Sequence, residues 1–211
     1  MDVVILAGGK GSRIYKMNPH LPKPMIKFKG ISFLQILINH YSKFDIENIF
    51  ILAGYKGEII KKIFHNKVQN FVKIKCLIEK KPMDTAGSLY SLKNKIKRDF
   101  VLLNGDTFFD IDNVNILKNY KNKNKIGCIN LVKSKKNVKL GYLNIDKNKN
   151  LIQKKKSNYI NAGVYYFKNK IFSFIKNKKM SMENELLPLL IKKNLVSGKV
   201  NNNFFIDIGT P

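Results

Sequence analysis

Short apolar runs alternate with segments of helical periodicity in the N-terminal half of the chain, and this alternation constrains the fold most. The runs lie at residues 2–7, 48–53, 73–78 and 100–104. The helical segments between them lie at residues 32–44, 57–65 and 85–95, and Ser32 is suited to cap the first. Apolar strands separated by helices are typical of a parallel sheet that is buried on both faces. We therefore predict an α/β fold, in which helices flank both faces of a Rossmann-like, mixed but mostly parallel sheet.

The pattern changes after Asp112. A helix is predicted at residues 114–120, strands at 126–133, 141–145 and 163–167, and further helices at 170–175 and 183–193. Strands that follow one another without an intervening helix favour antiparallel pairing. No internal repeat is visible, and the length suits one domain. We predict a single domain over residues 1–211, with one half at 1–112 and the other at 113–211.

The composition is strongly basic, since 40 lysine and arginine residues stand against 14 acidic ones and give a net charge of +26. Only two of the forty are arginine, Arg13 and Arg98, and the lysines are spread along the whole chain. Arginine dominates specific recognition of bases and phosphates, and no helix-turn-helix, zinc-finger or RNP pattern occurs. We therefore expect no nucleic-acid partner, although the charge favours smaller anionic ligands such as nucleotides.

Membrane insertion and secretion are not expected. No apolar stretch approaches the ~20 residues that a membrane-spanning helix needs, and the run at residues 3–7 is too short for a signal peptide. The two cysteines, Cys76 and Cys128, are typical of a reducing compartment and are too few for a cysteine zinc site. We expect a cytoplasmic protein with no membrane partner.

Chemically useful residues follow the predicted strands. Ligands of open parallel sheets bind beyond the carboxyl ends of the strands, so such residues are expected there. The exception is Asn161, which precedes its strand. The residues that follow a strand are Gly8, Gly9, Gly11, Arg13, Glu79, Asp106 and Asp207.

Two motifs near the N-terminus suit the binding of phosphate groups. In residues 6–13, three glycines allow the backbone to approach a phosphate chain, and Arg13 can clamp phosphate oxygens. The loop is neither a Walker A motif nor the dinucleotide fingerprint. In residues 21–25, Pro22 and Pro24 restrict the backbone around Lys23 and so present its ammonium rigidly.

Together these motifs resemble the signature of the sugar-phosphate nucleotidylyltransferases, A-G-G-x-G-[ST]-R followed by P-K-P-M. Five further segments resemble family motifs in the same order: residues 79–89, 103–106, 161–165, 181–183 and 205–211. The resemblance covers essentially the whole chain. Within the family, residues 104–112 and 205–209 are most similar to the heptose 1-phosphate and mannose 1-phosphate guanylyltransferases. Lys16 stands where the thymidylyl- and uridylyltransferases usually carry a proline.

The resemblance implies a fold of the nucleotide-diphospho-sugar transferase type and a reaction. An NTP and a sugar 1-phosphate would give an NDP-sugar and pyrophosphate, with GTP and D-glycero-D-manno-heptose 1-phosphate or mannose 1-phosphate as the best substrates. Residues 1–112 would be the nucleotide-binding half and 113–211 the sugar-phosphate-binding half. Asp106 and Asp207 would hold Mg²⁺, and the catalytic residues would be Arg13, Lys23 and Asp106. A homo-oligomer is possible.

The resemblance also implies the binding residues. Those for the nucleotide are Leu6, Ala7, Gly8, Gly9, Gly11, Ser12, Arg13, Lys23, Glu79, Pro82, Thr85, Gly87 and Asp106. Those for the sugar phosphate are Gly141, Lys156, Asn161 and Glu183.

Three departures from the family pattern bear on these expectations. Asp84 replaces the usual glycine and adds charge near the nucleoside. Residues 154–156 offer three lysines where the family has F-x-E-K, and Lys156 is the one expected to meet the sugar phosphate. The chain ends at Pro211, where similar proteins continue with a short helical tail.

Three alternatives stay open. In the first, the nucleotide donor is dTTP, UTP or CTP rather than GTP, and the acceptor is another phosphorylated substrate. In the second, the protein is a nucleotide-sugar-dependent glycosyltransferase whose D-x-D metal motif is Asp110 and Asp112, which are also the runner-up magnesium ligands of the nucleotidylyltransferase. In the third, the protein is a non-catalytic regulator that binds nucleotide sugars.

Overall fold

The structure, a computed structural model, describes residues 1–9, 20–110, 124–138, 143–154 and 157–209. The strands are β1 (Asp2–Ala7), β2 (Lys27–Phe28), β3 (Ile31–Ser32), β4 (Asn48–Ala53), β5 (Val68–Gln69), β6 (Val72–Ile78), β7 (Phe100–Asn104), β8 (Thr107–Phe109), β9 (Gly127–Val138), β10 (Leu143–Ile145), β11 (Leu151–Gln153), β12 (Ser157–Phe167), β13 (Val196–Asn201) and β14 (Phe205–Asp207). The α-helices are α1 (Phe33–Tyr41), α2 (Gly57–Phe64), α3 (Asp84–Gly87) and α4 (Leu187–Lys192).

An eight-stranded mixed sheet forms the centre of the molecule. Its strand order is β13-β9-β12-β7-β1-β4-β6-β5. Strands β7, β1, β4 and β6 run parallel to one another, whereas β12 runs antiparallel to both β7 and β9. Strand β13 returns parallel to β9, and β5 closes the other edge as a short hairpin with β6. The predicted Rossmann-like, mostly parallel sheet is therefore confirmed, and the predicted strands at 2–7, 48–53 and 100–104 have the observed bounds.

Two apolar cores lie on opposite faces of this sheet because alternate strand residues point to opposite sides. Val3 and Ile5 of β1 belong to the core that includes the buried faces of α1 and α2. Val4, between them, belongs to the core that includes α4 and the segments around it. All three side chains are fully buried, as both faces of the strand are covered. The predicted Ser32 cap of α1 is confirmed, since the Ser32 hydroxyl accepts the Gln35 N–H at 3.2 Å.

Helices on the second face are shorter and less regular than predicted. The predicted helix at 85–95 is α3 followed by a 3-10 turn at Ser88–Leu92, and the one at 170–175 is a 3-10 turn at Asn169–Ser173. The predicted helix at 183–193 is a π-helical turn at Met182–Leu186 followed by α4. Pro188 is the second residue of α4, and proline cannot donate the N–H that a continuous helix requires.

The second half of the chain holds a strand that was not predicted, β13, which pairs along its whole length with β9. Strand β13 carries several polar residues, so its apolar pattern is weak and only the pairing reveals it. The last strand, β14, ends at Asp207 and pairs with β8 outside the main sheet. The predicted helix at 114–120 lies outside the described residues. No helix in the part of the chain that the structure describes combines the length and apolar character needed to cross a membrane.

Candidate active site

A cavity of about 750 Å³ opens at the carboxyl ends of β1, β4, β6 and β7. Its position agrees with the strand-end argument, because the four parallel strands direct their last residues to one edge of the sheet. Gly11, Ser12 and Arg13 lie outside the described residues. The predicted nucleotide-binding residues that line the cavity are Leu6, Ala7, Gly8, Gly9, Lys23, Glu79, Pro82, Thr85 and Asp106.

The floor of the cavity depends on close approach between the ends of β1 and β4. The Gly8 carbonyl accepts the Tyr55 N–H at 3.1 Å. A Cβ at Gly54 would lie 2.7 Å from the Gly8 carbonyl oxygen and 2.9 Å from the Gly8 Cα. Position 54 therefore requires glycine, because any side chain there would collide with the backbone of Gly8, where the glycine-rich loop begins.

Replacing Gly54 by alanine is expected to destabilise the protein, because backbone atoms that cannot rotate away would have to shift. We expect a loss of about 1–3 kcal/mol in the free energy of unfolding, measured by chemical denaturation. The matched control is Gly9→Ala, since a Cβ at Gly9 would meet no atom of the described residues within 4 Å. Equal stability of the two variants would contradict the close-packing argument.

Lys23 forms an ion pair with Asp106 at the edge of the cavity. Lys23 lies in a 3-10 turn at Lys23–Met25, and Pro22 and Pro24 flank it, as the sequence predicts a restrained backbone. Its Nζ lies 2.5 Å from Asp106 Oδ2, and the exposed fractions of the two side chains are 12% and 36%. Asp106 itself follows β7 immediately after Gly105, whose N–H donates to the Leu6 carbonyl at 2.8 Å.

Asp207 reaches the same place from the far end of the chain. Strand β14 pairs antiparallel with β8, and this register sets Asp207 opposite Thr107, the residue after Asp106. The Ile208 N–H donates to the Asp106 carbonyl at 2.9 Å, and the Gly209 N–H donates to Asp207 Oδ1 at 2.6 Å. A Cβ at Gly209 would lie 2.7 Å from Asp207 Oδ1 and 3.3 Å from Asp106 Oδ2, so both carboxylates border one small space.

This pair of carboxylates fits a magnesium ion. Hard oxygen ligands suit Mg²⁺, which usually takes only one or two protein carboxylates and completes its shell with phosphates and water. Within the described ranges, no three His, Cys, Asp or Glu side chains cluster in a way that could hold a metal without such help. The runner-up ligand Asp110 lies elsewhere: its Oδ1 is 3.9 Å from His40 Nε2, and it does not line the cavity. Asp112 lies outside the described residues.

Glu79 supplies a carboxylate at the end of β6. Its N–H donates to the Ala53 carbonyl at 2.9 Å, which continues the pairing of β6 with β4. Burial raises the pKa of the Glu79 carboxyl, the Met83 N–H that approaches one oxygen at 3.5 Å lowers it, and the charge of Asp84 raises it again. A carboxylate in such surroundings needs a donor from elsewhere to be stable in its charged form.

Asp84 stands where the family usually has glycine, and its backbone conformation is one that glycine adopts more easily. Its φ is +63°, in the left-handed region. The Asp84 carboxylate accepts the Thr85 N–H at 3.0 Å, a local bond of the kind that lets aspartate tolerate this conformation. The departure therefore keeps the turn at the start of α3, and it adds a negative charge to the cavity wall.

Thr85 joins the cavity wall to Glu183. Its hydroxyl donates to Glu183 Oε2 at 3.2 Å and accepts the Met182 N–H at 2.8 Å. Glu183 is exposed, and it does not line the cavity. Gly87 does not line it either. Its N–H donates to the Met180 carbonyl at 3.0 Å, and a side chain there would collide with the Lys178 carbonyl.

Asn161 is bonded within the protein. Its Oδ1 accepts the Gly163 N–H at 3.0 Å, and its Nδ2 donates to the Tyr165 hydroxyl at 2.7 Å. Gly163 has a φ of +67°, where β12 shifts its register against β9. Burial raises the pKa of Tyr165, and the nearby charge of Glu183 adds to the shift, so Asn161 and Glu183 both surround this phenol. Neither Asn161 nor Tyr165 lines the cavity, and Gly141 and Lys156 lie outside the described residues.

Several lining residues were not predicted. Gly54 and Tyr55 follow β4, so the strand-end rule applied to that strand would have found them. Asn104 and Gly105 are part of the quoted motif before Asp106. Gly209 lies in the quoted motif at residues 205–211, whereas no sequence signal indicated Lys179, which reaches the site only through tertiary contacts. The lining residues outside the prediction are Pro24, Leu52, Gly54, Tyr55, Lys80, Lys81, Asp84, Ser88, Asn104, Gly105, Lys179 and Gly209.

Comparison with known proteins agrees with this fold. The model of the nucleotidyl transferase family matches residues 2–211, so the chain belongs to that family of enzymes. It is 34% identical over 217 residues to the D-glycero-alpha-D-manno-heptose 1-phosphate guanylyltransferase of Campylobacter jejuni, with 100% of this chain and 96% of that protein covered. It is 37% identical over 223 residues to the bifunctional protein GlmU of Methanococcus aeolicus, covering all of this chain but only 52% of that protein. The chain thus spans about half the length of this bifunctional relative.

Solved structures share the fold. HddC from Yersinia pseudotuberculosis complexed with GMP-PN superposes with a TM-score of 0.82 and 29% identity, over 100% of this chain and 94% of that chain. A putative glucose-1-phosphate thymidylyltransferase from Bacillus anthracis has a TM-score of 0.86 at 20% identity, over 100% of this chain and 90% of that chain, which supports the fold alone.

Proposed function

We propose that the protein transfers a nucleotidyl group from an NTP to a sugar 1-phosphate. An oxygen of the sugar phosphate attacks the α-phosphorus, the bond from that phosphorus to the oxygen bridging to the β-phosphorus breaks, and pyrophosphate leaves with the electron pair. The phosphate is itself a competent nucleophile, so catalysis requires positioning and the neutralisation of charge. The observation that supports this most is the convergence of Lys23, Asp106 and Asp207 beside one cavity.

The charged residues of the site have complementary tasks in this reaction. Asp106 and Asp207 would hold Mg²⁺, which would neutralise charge on the phosphates when it is bound. The Lys23 ammonium can bind the α-phosphate and the incoming phosphate, because its rigid turn directs it to the cavity. Arg13 remains the predicted ligand of the leaving pyrophosphate. Leu6, Ala7 and Gly8 border the space proposed for the nucleoside.

Glu79 favours guanine as the base. An ionised carboxylate only accepts hydrogen bonds, so a bidentate contact requires two adjacent donors. Guanine presents such a pair, N1–H and N2–H₂, whereas no other base has two adjacent donors on its Watson–Crick edge. Glu79 lines the cavity and has only the long Met83 contact among the described hydrogen bonds, so its acceptor capacity is largely unused there. We therefore propose GTP as the nucleotide.

The acceptor is proposed from the relatives of similar length. The Campylobacter jejuni protein and a second D-glycero-alpha-D-manno-heptose 1-phosphate guanylyltransferase, from Aneurinibacillus thermoaerophilus, are covered over 96% and 94% of their length. We propose D-glycero-D-manno-heptose 1-phosphate or mannose 1-phosphate. Asn161 and Glu183 stay candidate residues for the sugar side, and they would act on it through small shifts because their side chains bond to Tyr165 and Thr85 here.

A pyrophosphate-release screen tests the proposal. The purified protein is incubated with GTP, ATP, CTP, UTP or dTTP, each with heptose, mannose or glucose 1-phosphate and Mg²⁺. We expect release only when nucleotide, sugar phosphate and Mg²⁺ are all present, and the fastest release with GTP. A thermal shift with nucleotides but no turnover on any pair would instead support a non-catalytic regulator. Faster release with UTP or dTTP would overturn the assignment of Glu79.

A further inference from the structure

The Lys23 ammonium borders the same space as the two carboxylates proposed to hold the metal. Its Nζ is 2.5 Å from Asp106 Oδ2. A Cβ at Gly209 would collide with this Nζ and would lie 2.7 Å from Asp207 Oδ1. A cationic group of the protein therefore stands where a divalent ion shared by both carboxylates would have to approach them.

We propose that Lys23 and a divalent cation compete for Asp106, so that the ion binds strongly only when a phosphate takes over the ammonium. This inference rests on the proposed function and adds an order of binding to it, in which strong binding of the ion follows binding of a phosphate. Two cations within a few ångströms of one carboxylate repel each other strongly where water is partly excluded. The nucleotide's phosphates relieve this repulsion, because they offer anionic oxygens to both Lys23 and the metal.

The surroundings of Lys23 hold the ammonium near Asp106. The Met25 N–H donates to the Pro22 carbonyl at 2.8 Å, and the Ile26 N–H donates to the Lys23 carbonyl at 3.1 Å, so the backbone of the turn is restrained. Only 12% of the lysine side chain is exposed. A charge that is this little hydrated needs an anionic partner, and leaving Asp106 is favourable only when another anion replaces it.

The other oxygen of Asp106 is also bonded within the protein. Asp106 Oδ1 accepts the Thr107 hydroxyl at 3.3 Å, and Thr107 is buried. Both oxygens of the carboxylate therefore have partners in the protein. An ion that binds alone has to share the carboxylate with these two donors, one of which is charged, and this lowers its affinity.

Titration of Mn²⁺ into the full-length protein without nucleotide tests this inference, with free Mn²⁺ measured by electron paramagnetic resonance. Lys23→Met keeps the length of the side chain and removes its charge. We expect this variant to bind Mn²⁺ about tenfold or more tightly than wild type, since a close cation is removed from a partly desolvated carboxylate. Adding Asp106→Asn to Lys23→Met should abolish the gain, which assigns the ion to this site.

Lys27→Met is the matched control, because Lys27 is exposed, lies four residues away and does not line the cavity. It removes the same net charge, and screening should keep its Mn²⁺ affinity within about twofold of wild type. Circular dichroism and thermal melts verify that each variant is folded, and Lys23→Gln replaces Lys23→Met if the latter fails to fold. An affinity of the Lys23 variant equal to wild type, or a gain that survives Asp106→Asn, would overturn the competition. The titration contains no nucleotide, so its outcome is independent of whether the pyrophosphate screen succeeds.

Discussion

Replacing Asp106 by asparagine is expected to lower kcat by about two to four orders of magnitude in the pyrophosphate-release assay. The amide has nearly the same shape as the carboxylate but carries no charge. It would weaken both the proposed magnesium site with Asp207 and the ion pair with Lys23. The loss should fall on kcat more than on the KM for the nucleotide, because the missing charge acts on the phosphates as they react.

The matched control for this variant is Asp110→Asn, four residues further along the chain. Asp110 is exposed and does not line the cavity, so its kcat should remain close to that of wild type. Asp106→Asn should lower the free energy of unfolding by about 1–3 kcal/mol, because it leaves the Lys23 ammonium, whose side chain is only 12% exposed, without its anionic partner. A variant with full activity would remove Asp106 from the proposed chemistry.

Replacing Glu79 by glutamine should change which base the enzyme prefers. The glutamine amide offers one donor and one acceptor, a pattern that matches the O4 and N3–H of uracil or thymine better than the two donors of guanine. We expect the ratio of kcat/KM for GTP to that for UTP to fall by about tenfold to a hundredfold, the usual value of one bidentate base contact. Glu58→Gln, at an exposed glutamate of α2, is the control and should leave the ratio unchanged.

The pH dependence of the same site provides a second measurement. Burial, with a contribution from Asp84, raises the pKa of Glu79, so its carboxylate is protonated at a higher pH than an ordinary glutamate. The KM for GTP should therefore rise as the pH falls through this raised pKa, and Glu79→Gln should remove that rise. If the KM for GTP rose equally with falling pH in wild type and in Glu79→Gln, the titrating group would be a residue other than Glu79.

Glu79→Gln should be more stable than wild type, although it should use GTP less well. Because the pKa of Glu79 is raised on folding, the charged carboxylate destabilises the folded state at pH values above that pKa. Glu79→Gln should therefore raise the Tm at neutral pH. The difference should shrink as the pH falls through the raised pKa, and it should vanish below the ordinary pKa of a glutamate, where Glu79 is neutral in both the folded and unfolded states.

Much of the fold and part of the site could be predicted from local patterns. Strands β1, β4 and β7 are continuous apolar runs, and their ends place Gly8 and Asp106 beside the cavity because parallel strands direct their carboxyl ends to one edge. The restrained turn around Lys23 was also predictable, since two prolines limit its backbone. In contrast, the pattern predicted a long helix at 85–95, where close packing of Gly87 against the Lys178 carbonyl and Met180 accompanies a shorter α3 and a 3-10 turn.

By itself, then, the sequence determined the bounds of β1, β4 and β7 and which residues follow them, because apolar runs are properties of neighbouring residues. Only the tertiary structure decided that Asp207 lies beside Asp106, since this depends on the pairing of two three-residue strands, β8 and β14, from distant parts of the chain. It also decided that Asn161 turns to Tyr165 and that Lys179 reaches the cavity. Such contacts arise when the chain closes on itself, and no local periodicity encodes them.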